Sequence, residues 1–431
     1  MILRPYQETA VASVTTMIDH GTKKMIGVAA TGAGKTVITS EIARRVGGRV
    51  LFLCHRNELL YQPIDGIVRS FPELRPYGVV GRGYDKRMWG SREKTPYAAN
   101  YVTCTIQTAE RRPSLLEDIT KHGDLSLVIV DEAHRYAEAY QRLIERVVTE
   151  TDAAVLGVTA TPLRSDGFRM GEIYDEVAFN ISFSFLVNKG YLARPEGMVF
   201  GLGADISGVD VGDDGDYIAE QLDTVLSAAN ANEVIFEKWV ENAANKQTIV
   251  FCAGVKQARE LHNLFAEAGH ETAVITGATP LKERIGEGGI LPRFKDKRIK
   301  VLINVNVLIE GADVPTVECV VMGRCTKSIA LYQQCVGRGS RLCEGKTSFL
   351  VLDFAPQGAK GLVGVEDILG QEDEETAVSD EEVLGREQCT RDCPEEGADV
   401  VAENVGFAWF NLLTLGYGEG GILGKRVIAG R

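Results

Sequence analysis

The sequence lacks the long apolar runs that a membrane-spanning segment needs. Its uninterrupted apolar stretches, such as residues 127–130, are only a few residues long, whereas a transmembrane helix requires about 18 or more. The opening residues, MILRPYQE, are not followed by the apolar core of a secretory signal. The sequence therefore predicts a cytoplasmic protein without a membrane partner.

The sequence lacks the cysteine spacing of a disulfide scaffold, and its cysteines are odd in number. Most of the nine cysteines lie in or beside apolar runs, so we expect reduced thiols. The one close pair, Cys389 and Cys393, has three residues between its members, and no histidine follows His270. Because zinc needs about four ligands, two plain thiols are favoured here and a metal site is the alternative.

An excess of basic residues, which nucleic-acid-binding proteins usually carry, is missing. The formal net charge is −13, but this charge is unevenly distributed. Residues 356–431 hold 16 acidic and 6 basic residues, whereas the first 355 residues hold 44 acidic and 41 basic residues. A nearly neutral body can line one groove with lysine and arginine while its other faces are acidic. Composition therefore does not exclude a nucleic-acid partner.

Short runs rich in valine and isoleucine alternate with amphipathic stretches, a pattern typical of βαβ units around a parallel sheet. We expect one series of strands near 25–30, 49–54, 101–105, 126–130 and 154–158, and a second near 248–252, 272–276, 299–305, 316–322 and 348–353. The Gly- and Asp-rich residues 200–220 indicate a linker between the series. The prediction is an α/β protein with domains at 1–195 and 229–356, a linker at 196–228, and an acidic tail with a small extension at 357–431.

The strongest chemical signal is the run AATGAGKT at residues 29–36. It follows an apolar run and precedes Ile38, Ile42 and Val46, which share one helical face, so the local order is strand, glycine-rich turn, helix. Such a turn surrounds phosphate oxygens with backbone N–H groups, its lysine reaches the β- and γ-phosphates, and its hydroxyl meets Mg²⁺. The predicted phosphate-binding residues are Thr31, Gly32, Ala33, Gly34, Lys35 and Thr36.

A second acidic site is expected on a later strand of the same sheet, because Mg²⁺ bound to the loop hydroxyl needs a carboxylate across the nucleotide. The apolar residues 125–130 are followed by the tetrapeptide DEAH at 131–134. Asp131 and Thr36 would hold Mg²⁺, and Glu132 would polarise the attacking water as general base. These two motifs predict ATP and Mg²⁺ as cofactors.

The two motifs together resemble those of the superfamily 2 helicases and translocases, whose first motif reads AxxGxGKT. LRPYQ at residues 3–7 resembles the adenine-reading Q-motif of that family, which implies that Arg4 and Gln7 lie at the nucleotide. Further matches follow in order: CHRNEL at 54–59 (motif Ia), TIQT at 105–108 (Ic), TAT at 159–161 (III), IVFC at 249–252 (IV), NVNVLIEGADVP at 304–315 (V) and QCVGRGSR at 334–341 (VI). The resemblance covers roughly residues 1–355.

The resemblance implies two RecA-like domains with ATP in the cleft between them. Its catalytic residues would be Lys35, Asp131, Glu132, Gln334, Arg338 and Arg341, the two arginines acting as arginine fingers. Gly311 and Asp313 would extend the nucleotide site. The implied nucleic-acid contacts are His55, Arg56, Thr105, Gln107, Thr108, Thr276, Gly277 and Asn306. Coupling of hydrolysis to movement would involve His134, Thr159 and Thr161.

The segment TGATP at residues 276–280 is similar to the one after motif IV in RadD-like and phage DEAH-box helicases, which favours DNA as the track. We expect an ATP-dependent DNA helicase or translocase of a bacterial or phage-infected cell that acts on single-stranded or branched DNA in replication, recombination or repair. The alternatives are an RNA helicase, a duplex translocase without strand separation, and an ATP-switched DNA clamp. The C-terminal tail is a candidate protein-binding segment.

Overall fold

The structure is a computed structural model that describes residues 2–55, 59–60, 63–64, 71, 74, 76–81, 87–89, 95–134, 137–160, 170–212, 215–307, 314–359, 362–365 and 368. Several residues singled out above lie outside the described residues: Arg56, Thr161, Gly311, Asp313, Cys389 and Cys393. The acidic tail beyond residue 368 lies outside them as well. No helix among the described residues is long and apolar enough to cross a membrane.

The first domain is built on a sheet whose eight described strands run in the order β4-β3-β5-β2-β6-β7-β1-β8. These strands are β1 Lys24–Ala29, β2 Arg49–Cys54, β3 Tyr77–Val80, β4 Arg87–Trp89, β5 Tyr101–Thr105, β6 Leu125–Asp131, β7 Ala154–Thr159 and β8 Glu176–Ile181. Only the β3–β4 pairing is antiparallel. The five strands predicted in this half are confirmed, because central parallel strands are apolar on both faces and stand out as continuous hydrophobic runs.

Helices cover both faces of this first sheet. Those described are α1 Pro5–Asp19, α2 Lys35–Val46, α3 Ile106–Glu110, α4 Leu115–Thr120, α5 Ala137–Glu150 and α6 Phe183–Asn188. Each face of the sheet contributes to its own apolar cluster, with Phe52 and Ile129 on one side and Leu53 and Val130 on the other. This alternation along β2 and β6 fixes the sheet between two helical layers.

The second domain contains a sheet whose six described strands are all parallel, in the order β11-β12-β10-β13-β14-β9. Its strands are β9 Arg194–Asp205, β10 Thr248–Phe251, β11 Thr272–Ile275, β12 Val301–Asn304, β13 Cys319–Met322 and β14 Ser348–Gln357. Its described helices are α7 Ala219–Ala228, α8 Ala231–Ala243, α9 Val255–Glu267, α10 Leu281–Ile285, α11 Ile290–Lys295 and α12 Ile329–Val336. The predicted strands of this half, and the expected α/β class, are confirmed.

The stretch predicted as a linker, residues 196–228, differs from the expectation. Most of it is regular structure, because β9 pairs with β14 from Arg194 opposite Ser348 to Asp205 opposite Gln357, and α7 follows. β9 is an edge strand in which only Pro195, Leu202 and Ala204 are buried, so it lacks the continuous buried hydrophobic run of a central strand. The second domain therefore begins at β9.

The predicted start of the tail at residue 357 also lies inside packed structure. Ile368 is buried in the core, and Val363 and Val365 pack against the same cluster. Val363 donates its N–H to the carbonyl of Thr326 at 3.1 Å, and a Cβ on Gly197 would meet the Val365 side chain at 2.9 Å. These three apolar side chains, together with Leu362, which packs against another cluster, extend the second domain to residue 368.

Candidate nucleotide site and motor cleft

The phosphate-binding loop predicted from the sequence joins β1 to α2. Gly32 and Gly34 have φ values of +91° and +84°, in the left-handed region that side chains with a Cβ rarely adopt. A Cβ on Gly34 would also meet Gln7 Nε2 at 2.6 Å. The glycines are thus required both by backbone conformation and by space, and they lead directly into the N-terminus of the 12-residue helix α2. A helix N-terminus reached through such a turn is a suitable site for a phosphate anion.

The lysine of this loop pairs with the predicted general base. Lys35 Nζ lies 2.9 Å from Glu132 Oε1, and the two side chains are only 18% and 9% exposed. Glu132 follows β6 and has a φ of +48°, a conformation that costs a non-glycine residue on the order of 1 kcal/mol. Strained backbone of this kind often occurs at functional sites.

The two residues predicted to hold Mg²⁺ share one small pocket. Thr36 and Asp131 both line it, together with Lys35. No group of three or more His, Cys, Asp or Glu side chains suited to a metal occurs in the described part of the chain. One hydroxyl and one carboxylate fit Mg²⁺, because this ion is usually bound by one or two protein ligands plus phosphates and water.

His134 links the acidic motif to the next strand, β7. Its Nδ1 lies 2.8 Å from Thr159 Oγ1 and 3.5 Å from Glu132 Oε2. Thr159 is completely buried, so the contact is shielded from solvent. The structure therefore brings together two of the predicted coupling residues and the predicted base.

The predicted adenine-reading segment packs against the phosphate-binding loop. Gln7 Oε1 accepts from the N–H of Arg4 and Gln7 Nε2 donates to the carbonyl of Ala33, each at 3.0 Å. Tyr6 also donates its hydroxyl to Ala33 O, and burial raises the pKa of that hydroxyl. The Arg4 guanidinium stacks 5.2 Å above the ring of Tyr191. In this structure Gln7 orders the loop, and its contact with a base stays a prediction.

Tyr191 lies at this site but was not predicted. It precedes β9 by a few residues and its ring meets the Tyr6 ring edge-on at 4.8 Å. The sequence offers no motif around it, because the contact joins residues 185 positions apart. Tyr6 itself lies inside the predicted Q-motif, so its aromatic character was the signal available.

The predicted catalytic residues of the second domain lie at the end of α12 and directly beyond it. Gln334 and Arg338 are 2% and 8% exposed, and Arg341 is half-buried. Neither the nitrogen nor the oxygen of the Gln334 amide has a hydrogen-bond partner in the described parts of the chain. A buried amide without partners costs about 1–3 kcal/mol, which is typical of a group positioned to meet a ligand.

This segment contacts the phosphate-binding loop across the two domains. A Cβ on Gly337 would meet the Thr31 side chain at 2.7 Å. A Cβ on Gly32 would lie 3.5 Å from the Ser340 hydroxyl, and the Ser340 backbone carbonyl accepts a hydrogen bond from the N–H of Ala193 at 2.6 Å. The two domains are therefore closed on each other at the place where the phosphates of a nucleotide would lie.

The residues predicted to contact nucleic acid form one group on each domain. In the first, Gln107 donates to the carbonyl of His55 at 3.2 Å, and Thr105 bonds Thr108 at 2.8 Å. These residues lie at or just beyond the carboxyl ends of the adjacent parallel strands β2 and β5, which share one sheet edge. Their contact with nucleic acid stays a prediction.

In the second domain, the predicted contacts follow β11 and β12, which are also parallel neighbours. Thr276 accepts from the N–H of Ala278 at 3.2 Å, and Arg284 donates to the carbonyl of Gly277 at 2.9 Å. Asn306 lies two residues beyond β12 and has a φ of +56°. The three predicted residues thus occupy ordered turns at one edge of the sheet.

Comparison with known proteins gives two family matches. Residues 1–164 match the family described as type III restriction enzyme, res subunit, and residues 230–343 match the helicase conserved C-terminal domain. The ATP-dependent helicase Irc3 of Saccharomyces cerevisiae is 29% identical over 387 residues, which cover 86% of this chain and 54% of Irc3. A 51.5 kDa protein of a Lactococcus phage is 32% identical over 337 residues, which cover 77% of this chain and 66% of the phage protein. The chain belongs to the superfamily 2 helicases.

A solved structure shares the two-domain fold. The type ISP restriction-modification enzyme LlaBIII, bound to DNA, superposes with a TM-score of 0.60 at 18% identity, covering 84% of this chain and 28% of that one. At this identity the likeness establishes the fold alone, which is that of two RecA-like domains. The helicase chain spans about half the length of Irc3.

Proposed function

We propose that the protein is a nucleic-acid-dependent ATPase that moves on DNA and unwinds it. The observation that carries the proposal is the closure of motif VI on the phosphate-binding loop, where Gly337 abuts Thr31. That contact brings the segment bearing Arg338 to the loop bearing Lys35. A nucleotide bound there would contact both domains, so its hydrolysis would change how they hold each other.

The residues of the site divide the chemistry among them. Mg²⁺ bound with ATP would neutralise charge on the β- and γ-phosphates, and Thr36 and Asp131 are the residues that would hold it. Lys35 would donate to the phosphates, which releases Glu132 from the present ion pair to accept a proton from water. Arg338 would stabilise the charge that develops on the transferred phosphoryl group.

His134 and Thr159 would carry the effect of hydrolysis away from the site. The 2.8 Å contact between them joins the loop after Glu132 to the end of β7. A change at Glu132 therefore reaches a second strand of the sheet through one buried hydrogen bond. We assign the coupling of hydrolysis to movement to this contact.

DNA is the favoured track for three reasons. Residues 1–164 match a restriction-enzyme family, and the structurally similar LlaBIII is bound to DNA. The segment at residues 276–280 supports the same choice through its likeness to RadD-like and phage helicases. We place the activity in replication, recombination or repair, on single-stranded or branched DNA.

An RNA helicase would use the same ATP-binding residues, and a duplex translocase would hydrolyse ATP without separating strands. Displacement of a labelled strand from a DNA fork, a DNA duplex and an RNA duplex distinguishes these functions. The proposal expects ATP-dependent displacement from the DNA fork, with Glu132→Gln as the inactive control. Displacement from RNA alone would make the protein an RNA helicase, and ATP hydrolysis without displacement would make it a translocase.

A further inference from the structure

A buried ion pair lies beside the predicted nucleic-acid contact of the second domain, outside every helicase motif recognised in the sequence. Asp216, in the segment between β9 and α7, is 5% exposed and Arg324, just after β13, is 6% exposed. Their Oδ2 and NH2 atoms lie 3.2 Å apart. Asp216 also accepts from the Thr326 hydroxyl at 2.7 Å and from the N–H of Lys327 at 2.9 Å.

The second terminal nitrogen of the Arg324 guanidinium contacts Asn306. Arg324 NH1 donates to Asn306 Oδ1 at 3.2 Å. Arginine is only a donor, whereas the asparagine amide has an accepting oxygen and a donating nitrogen. The contact therefore determines that the oxygen of Asn306 faces Arg324 and that its NH₂ group faces elsewhere. An NH₂ group is the end of the amide that can donate to a phosphate oxygen.

A second contact, made by Asn304, stabilises the turn that carries Asn306. Asn304, the last residue of β12, accepts from the N–H of Val307 at 3.0 Å, and Asn306 keeps a left-handed backbone conformation. Asparagine tolerates that conformation better than most residues. The turn is thus anchored to its own strand by Asn304 and to the loop after β13 by Arg324.

The same cluster continues to the helix that carries motif VI. The Thr326 hydroxyl, which donates to Asp216, also accepts from the N–H of Ser328 at 3.0 Å. Ser328 in turn caps α12 by accepting from the N–H of Leu331. A continuous set of contacts therefore joins Asn306, through Arg324 and Asp216, to the start of α12.

We propose that Asp216 and Arg324 are positioning residues that orient Asn306 toward a phosphate of the nucleic-acid backbone. Asp216 supplies the negative charge that keeps the Arg324 guanidinium buried, and Arg324 sets the direction of the Asn306 amide. A buried ion pair is a poor source of stability compared with apolar packing but is suited to fixing geometry. The proposal rests on the function proposed above.

The test compares the wild-type chain with Asp216→Asn, which keeps the side-chain shape and removes the charge. ATP hydrolysis is measured against the concentration of single-stranded DNA. We expect the DNA concentration for half-maximal stimulation to rise about tenfold, the effect of losing about one charge-assisted hydrogen bond. The rate without DNA and the KM for ATP are expected to stay at their wild-type values.

The matched control is Thr248→Val, which removes the buried hydrogen bond from Trp239 Nε1 to Thr248 Oγ1 (2.8 Å). Thr248 begins β10, at the end of the strand opposite to the Asn306 turn. We expect this variant to lose stability while keeping the wild-type DNA response. An equal loss of DNA response in Thr248→Val would show that Asp216 acts only through general stability, and would overturn the proposal.

A double-variant comparison separates positioning from other roles. If Asp216 acts through Asn306, then Asn306→Ala alone reduces the DNA response and adding Asp216→Asn reduces it little further. If the double variant lost as much DNA response as the two single variants together, the proposal would be overturned. If Asp216→Asn does not fold, Arg324→Lys, which shortens the reach to Asn306, takes its place in the same comparison.

The outcomes distinguish this inference from the proposed function. A wild-type protein that DNA stimulates, with an Asp216→Asn variant that responds identically, overturns the positioning role alone. A wild-type protein that no nucleic acid stimulates overturns the proposed function, and the positioning role with it.

Discussion

Lys35 Nζ donates to Glu132 Oε1 at 2.9 Å, so the cation of the phosphate-binding loop is paired with the acid assigned to activate water. Both side chains are largely buried, and their interaction is therefore stronger than that of a surface ion pair. The phosphates of a nucleoside triphosphate would compete with the Glu132 carboxylate for the Lys35 ammonium group. Lys35 and Glu132 are thus linked by one ion pair but are expected to act in different steps, Lys35 in ATP binding and Glu132 in hydrolysis.

Substitution of the two partners should give different defects. Lys35→Ala removes a contact to the phosphates, so we expect weak ATP binding and no turnover. Glu132→Gln keeps the size of the side chain but cannot take a proton, so we expect ATP binding to persist while hydrolysis is lost. Equilibrium binding of a fluorescent ATP analogue and steady-state hydrolysis measure the two effects. Near wild-type turnover in Glu132→Gln would show that another group is the base.

Arg338→Ala tests the contribution of the second domain to hydrolysis. We expect ATP affinity to change only a few-fold and hydrolysis to slow by ~10³ or more, the scale typical of arginine fingers. Arg298→Ala is the control, because Arg298 is 60% exposed and pairs only with Asp296 among the described ion pairs. If Arg338→Ala remained fully stimulated by DNA, Arg338 would lie outside the active cleft.

Gly337→Ala tests whether closure of the two domains is required. The added methyl group would meet the Thr31 side chain at 2.7 Å and the carbonyl of Gln333 at 2.7 Å, so we expect the cleft to be held open and the kcat for ATP to fall at least tenfold (~1.4 kcal/mol). Gly203→Ala in β9 is the control, since its Cβ would have no atom within 4 Å. A wild-type kcat in Gly337→Ala would mean that the contact is not part of the cycle.

Lys346 provides a pH test of the segment that follows motif VI. It donates to the carbonyls of Pro315 and Val317, and burial lowers the pKa of its ammonium group to about 8. Between that pKa and the unfolded value of about 10.4, the unfolded chain binds more protons than the folded one. The contribution of Lys346 to stability therefore rises with pH in this window.

Urea unfolding of wild type and Lys346→Met measures this effect. We expect the difference in unfolding free energy, wild type minus variant, to be larger at about pH 9.5 than at about pH 7.5. Taking the difference cancels the titration of other groups. A difference that stays constant or falls with pH would contradict the burial of this charge.

Truncation after Ile368 tests the role of the acidic tail. Residues 369–431 contain 14 acidic and 5 basic residues, and negative charge near a DNA-binding groove repels phosphate. We expect the shortened chain to keep its ATPase activity and to bind single-stranded DNA more tightly at low salt, with the gain disappearing as salt screens the charge. Fluorescence anisotropy at two salt concentrations measures it. A folded, shortened protein without ATPase activity would show that the tail completes the motor.

The end of the second domain, at residue 368, could not be predicted from the sequence. The sequence placed the end of the second domain near residue 356, because acidic residues such as Glu366 and Asp367 obscure the apolar positions around them. The structure buries Ile368, so a cut at residue 356 would remove part of the core. Apolar residues that are spread through an acidic stretch can be recognised as core residues only when the packed structure around them, including β14, is known.

The phosphate-binding loop and the acidic motif could be predicted because their chemistry is local. Lys35 and Glu132 each follow a buried strand, and the parallel sheet brings those strand ends together. Asp216 and Tyr191 could not be predicted, because their partners lie more than 100 residues away in the chain. β9 was missed for a different reason, since an edge strand rich in glycine has the composition of a linker.

The most direct test of the account is the steady-state rate of ATP hydrolysis by wild type, measured with single-stranded DNA, duplex DNA, a DNA fork and RNA side by side. The two-domain site predicts a low rate without nucleic acid and a higher rate with DNA than with RNA, the stimulation being absent in Glu132→Gln and Arg338→Ala. A rate of hydrolysis that none of the four nucleic acids changes would contradict the assignment of this protein as a nucleic-acid motor.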